Sequence, residues 1–182
     1  MPQQLPSGAP PRALIIVAVL LGVALAVSVA VLGLSGGDGA GDQPQTVGPL
    51  PLVPVDAPES GSLECAALVK ALPPELPSQG ATLSARELAD PAPEAAAAWG
   101  TAEPVVLRCG LGRPPELAPD SRLQVINGVQ WLPVAGAGAT TWFTVDRDVY
   151  VALTVPETAG TGPLQAISAA VSSSLRPVPP RS

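Results

Sequence analysis

Histidine is missing from this 182-residue chain, and with it go the commonest general base and the commonest metal ligand. Most hydrolase and zinc-site templates need one, so neither a metal nor a cofactor is expected. Positive charge is scarce as well. Nine Lys and Arg, of which Lys70 is the single Lys, stand against 15 Asp and Glu, giving a net charge of −6 and a pI near 4.5. An acidic surface repels phosphates and releases few counterions, which excludes nucleic acid as a partner. The chain also has no G-x-G-x-x-G, no Walker loop and no G-x-S-x-G, the motifs that cradle phosphates or raise a nucleophilic serine. Ser172 to Ser174 form a polar helix face with no base to activate them. Charged residues make up only 13% of the chain, and 24 Pro and 18 Gly argue against long uninterrupted helices beyond the first segment.

That first segment is where apolar character concentrates. Ala13 to Leu34 carries no charge, and Ser28 is its only polar side chain. A helix satisfies such a serine by bonding it back to its own carbonyls. At 1.5 Å per residue the stretch reaches about 33 Å, enough to cross a hydrocarbon core of about 30 Å. Arg12 and the amino terminus are the positive flank, whereas Asp38 and Asp42 follow with no Lys or Arg before Lys70. The positive-inside rule then keeps residues 1–12 in the cytoplasm, makes 13–34 a transmembrane helix and exports the rest. A cleaved signal peptide is the rival reading, but its apolar region usually runs 7–15 residues. Residues 35–61 read as a Gly/Pro-rich tether, flexible first and extended later through Pro44, Pro49, Pro51, Pro54 and Pro58. The alternative lays Leu50, Leu52, Val53 and Val55 along the domain as an edge strand.

The domain itself is expected over 62–176, with a disordered tail at 177–182. Ser62 is a good N-cap for a helix from Leu63 to Leu72, which Pro73-Pro74 stops. A second short helix is expected from Pro93 through Ala98 to Gly100; Thr82 to Ala89 is ambiguous. Val105 to Cys109 reads as a strand. Leu123 to Ile126 and Val129 to Val134 flank Asn127-Gly128, the dipeptide best suited to a type I′ hairpin turn. Trp142 to Val145 and Val149 to Val155 make a second hairpin around Asp146-Arg147-Asp148. Leu164 to Leu175 has helical spacing of its apolar residues. Five strands between terminal helices predict an α+β fold, a small mostly antiparallel sheet with short helices on one face, preceded by one transmembrane helix.

Cys65 and Cys109 are the only cysteines. An exported chain with an even number usually pairs them, so a disulfide is expected; a redox-active pair would ordinarily sit in Cys-x-x-Cys. Three other residues are candidates for ligand contact. Asp146 and Asp148 stand two apart around Arg147 and offer paired carboxylates or hard cation ligands, although Asp and Arg are also what a solvated turn uses. Trp131 is the tryptophan best placed to stack on a ligand; Trp99 and Trp142 read as core. Arg108 is expected on the sheet face away from Cys109, solvated or paired with Glu103.

Leu63-Glu64-Cys65-Ala66-Ala67-Leu68 with Leu72-Pro73, then Ala97-Ala98-Trp99-Gly100, Val105 to Gly110 with its Arg108-Cys109-Gly110, Asn127-Gly128-Val129 with Trp131-Leu132-Pro133, and Asp146-Arg147 with Tyr150-Val151 together resemble a known family. It is the actinobacterial membrane proteins grouped as domain of unknown function 3515, and the likeness runs from the apolar segment to Leu175. The resemblance implies a single-pass envelope protein with both cysteine positions matched; it implies no activity, ligand or catalytic residue. The expected function is therefore a membrane-anchored extracytoplasmic protein whose domain binds or assembles without catalysis, its partner a cell-envelope protein or glycan. The alternative is an enzyme that uses carboxylates alone, Asp146 or Asp148, on a cell-wall polymer.

Overall fold

The computed structural model describes residues 48–180. The expected membrane helix at 13–34 lies outside them, as do residues 35–47 of the expected tether; no helix among the described residues is long and apolar enough to cross a membrane. Ser62 opens the first helix, α1 (Leu63–Ala71), by accepting a 3.2 Å bond from the Cys65 amide, which satisfies one of the donors a helix start leaves free. Leu72 turns extended and the two prolines keep it so.

Eight strands follow, β1 (Glu75–Ser78), β2 (Ala81–Arg86), β3 (Ala96–Trp99), β4 (Val105–Leu111), β5 (Gln124–Ile126), β6 (Val129–Ala135), β7 (Ala139–Thr144) and β8 (Tyr150–Pro156). A single 3-10 turn, Glu157–Ala159, leads to α2 (Gly162–Ser174). All eight join one antiparallel sheet in the order β1-β2-β3-β4-β8-β7-β6-β5. The expected α+β class is found, with a larger sheet than the five expected strands. The expected helix at 93–98 is absent, because its alanines form β3: Ala96 to Trp99 pair with Arg108 to Val105 on one side, while Trp99 and Ala98 pair with Ala85 and Arg86 on the other. β1 and β2 make the hairpin left ambiguous in the sequence, joined by Gln79-Gly80 with the glycine at φ +72°. Both expected hairpins form. Asn127 and Gly128 hold φ of +49° and +75°, and the Asn127 side-chain amide donates to the Gln165 carbonyl at 2.8 Å, tying that turn to α2.

Strand alternation sorts the side chains onto two faces. Trp99, Val105, Leu107, Cys109, Val129, Trp131, Val151 and Leu153 face the helices, where Cys65 and Leu68 of α1 and Leu164, Ile167 and Val171 of α2 complete the main core. Each fully buried Leu, Ile or Val there contributes on the order of 1.5–3 kcal/mol. On the opposite face Leu132, Val145 and Tyr150 gather with Leu117, which the connection between β4 and β5 brings over them. The helices thus cover one face and irregular chain covers the other.

Two irregular segments are held more firmly than their sequences imply. Residues 48–61, here called the strap, are sewn to the sheet: Leu50 makes a parallel bridge to Leu88, Arg86 donates two bonds to the Gly48 carbonyl, Arg108 donates to Val53 O at 2.8 Å, and the Glu59 amide donates to Gly110 O at 2.9 Å. At the other end, the expected disordered tail bonds through the Val178 amide to Asp146 O at 3.0 Å, beside a bridge between Arg147 and Pro177.

Candidate functional site

Cys65 and Cys109 are bonded, with S–S 1.98 Å and Cα atoms 5.6 Å apart. Both residues are wholly buried, so the bridge joins α1 to a central strand from inside the core.

Trp131 is a core residue and presents no face to a ligand. It is 0% exposed, and its indole N–H donates to Ser168 Oγ at 2.9 Å, the serine in turn donating to Leu164 O. Strand period explains the burial: Val129 and Trp131 share the helix-facing side of β6.

Asp146 and Asp148 point to different environments and are each tied to an arginine. Asp146 is buried with Arg147, whose Nη1 lies 2.8 Å from Asp146 Oδ1. Their alignment is that of an ion pair and not of a hydrogen bond, so Oδ1 and Arg147 Nε have no hydrogen-bond partner. The same guanidinium donates to Asp146 O and to Gly128 O, each at 2.9 Å. Asp148 is partly exposed and takes two bonds from Arg176, 3.1 Å from Nε and 3.2 Å from Nη2. That hydrogen bonding, and then the carboxylate charge, raises the Arg176 pKa above the ordinary arginine value. Asp148 borders a shallow depression of about 440 Å³ with Glu59 and Glu64. No grouping of three or more metal-ligating side chains occurs among the described residues.

Another site, which the sequence did not single out, lies where the strap crosses the margin of β3 and β4. A cavity of about 270 Å³ is walled by Pro54, Val55, Pro91 and Pro93 and bordered by Arg108 and Glu94. The residue period along β4 turns Arg108 away from the core that holds Leu107 and Cys109, as expected. Its partner differs from the expected one: Glu103 instead accepts from Thr158 Oγ1 at 2.6 Å, while Arg108 Nη2 donates to the Val53 carbonyl. Partial burial pulls the Arg108 pKa below the ordinary arginine value. Across the cavity, Glu94 Oε2 accepts from Ser60 Oγ at 3.3 Å. Arg108 and Glu94 do not pair with each other, and Arg108 has no carboxylate partner among the described residues. Glu94 and Ser60 belong to connecting segments far apart in the chain, so periodicity gave no signal for them. The Arg108-Cys109-Gly110 block was the one visible pointer to this margin.

These features define a disulfide-stapled α+β domain with a strap-walled, oppositely charged cavity. The chain belongs to the family described as protein of unknown function DUF3515, whose model matches residues 15–180. No curated protein and no solved structure matches it.

Proposed function

We propose that this is a single-pass membrane protein of an actinobacterial envelope, its N-terminal helix at 13–34 in the bilayer and its domain outside, and that the domain binds without catalysis. The observation that carries the reading is the bridge between Cys65 and Cys109. Reducing compartments keep thiols apart, so a structural disulfide in a core favours an exported domain. The uncharged stretch from Ala13 to Leu34 supplies the anchor, and the acidic residues after it agree with an outside location. Binding is favoured over chemistry because Asp146 and Asp148, the carboxylates nearest to an acid/base pair in the sequence, are each engaged by an arginine. A partner among envelope proteins or glycans agrees with a domain held close to the membrane.

Protease digestion of intact cells and thiol labelling test the placement. The domain is expected to be digested from outside, and Cys65 and Cys109 to label only after denaturation and reduction. A protected domain whose two cysteines label on denaturation without reductant overturns it.

A further inference from the structure

We propose that the cavity between the strap and the β3–β4 margin binds a small zwitterion with an apolar body, the class of a free short peptide, its carboxylate on Arg108 and its ammonium on Glu94. The inference rests on the domain being a binding module and not on where the domain resides.

Charge placement is the first argument. Two opposite charges border one cavity without neutralising each other. A simple anion meets repulsion from Glu94 and a simple cation meets it from Arg108, whereas a ligand carrying both charges satisfies both walls. The guanidinium has five N–H donors. One bond, to Val53 O, fixes its orientation from the strap and leaves donors for a carboxylate. Its partial desolvation strengthens that contact, since the water it would otherwise surrender on binding is already partly gone. Glu94 is likewise held by Ser60 Oγ with lone pairs to spare.

Size and wall chemistry are the second argument. At about 270 Å³ the cavity sits just below the range of drug-sized ligand sites and suits a ligand of roughly ten non-hydrogen atoms. Pro54, Pro91 and Pro93 present ring faces with almost no rotamer freedom to lose, so closing on an apolar body costs little ordering entropy. The strap supplies Pro54, Val55 and Ser60, and its anchors at Arg108 and Gly110 keep that wall in place.

The test is a calorimetric titration of the purified full-length chain with alanyl-alanine, compared with its C-terminal amide and its N-acetyl form. Saturable binding of the free dipeptide is expected, with roughly tenfold or greater loss for the amide and for Arg108→Gln, and a similar loss for the acetylated form and for Glu94→Gln. The losses should not compound: Arg108→Gln should leave binding of the amide as it was, and Glu94→Gln binding of the acetylated form. Changing the probe leaves the fold untouched, so the comparison stands even where a variant unfolds. Equal affinity for the three probes, no saturable binding of any of them, or native affinity in both variants overturns the proposal. Protease protection reports on placement alone, so failure there and failure here are separable.

Discussion

A guanidinium with 2% of its side chain exposed has lost its water, and at Arg147 the protein replaces that water with the carbonyls of Asp146 and Gly128 and the carboxylate of Asp146. The bonds reach from the β7–β8 connection to the β5–β6 turn, while the neighbouring backbone pairs with the tail at Pro177 and Val178. The arrangement is costly to break from one side, because a buried carboxylate left alone keeps its desolvation penalty without its counter-charge. Arg147→Met is expected to destabilise the domain by about 3–5 kcal/mol, and adding Asp146→Leu should return much of that loss. Urea unfolding of the two single variants and the double variant closes the cycle. A double variant less stable than both single variants would show that the pair itself contributes nothing and that the carbonyl bonds carry the whole effect. Asp146 is thus better understood as half of a structural ion pair than as a ligand-contacting carboxylate.

Among the elements, the β4 bulge at Gly110 connects the largest number of separate features. Register shifts between Cys109 and Leu111, Gly110 takes φ +84°, and a Cβ there would lie 2.3 Å from the backbone of Glu59 and Ser60. One residue therefore needs glycine twice, for its conformation and for the strap's close approach. Gly110→Ala should cost about 2–4 kcal/mol, the sum of left-handed strain and overpacking, and proteolysis should open the strap first. Native stability with an unchanged cleavage pattern would mean that the strap is not seated against β4. The same region shows what a sequence can disclose. Asn127-Gly128 and Ser62 announced their turn and cap because a specific conformation or bond restricts the residues allowed there. Ala96 to Ala98 misled because alanine's helix propensity is a weak local preference, and pairing on both edges of β3 overrides it. Pro77 disguised β1, where an edge position tolerates a missing donor. The strap's contacts were hidden for a different reason: its bonds run from backbone groups to Arg86, Arg108 and Gly110 far along the chain, and no local pattern encodes them. Of the cavity, only Arg108 stood out, with the right face and the wrong partner.

At the scale of the molecule, the blocks that carry the family likeness each fall on a junction. Trp99 donates to Pro73 O at the end of α1, Cys109 bridges to α1, Asn127 ties a hairpin to α2, and Arg147 binds that hairpin's Gly128. What they encode is the docking of helices and connections onto the sheet. The disulfide is the strongest of these ties, closing a loop of sequence separation 44. In the chain-entropy model that loop is worth roughly 4 kcal/mol, by restricting the unfolded chain. Domains of this size have a net stability of only about 5–15 kcal/mol, so the bridge supplies a large part of it. Replacing both cysteines, Cys65→Ala with Cys109→Ala, should lower Tm by on the order of 10 °C. Reductant added to the native protein should act slowly, because both cysteines are wholly buried and the chain must open before a thiolate reaches them. A melting curve of the double variant, set beside one of the native chain after prolonged reduction, measures both effects. The two should converge on one lowered Tm; if the variant melts within about 2 °C of the oxidised protein, packing between α1 and β4 suffices without the bond.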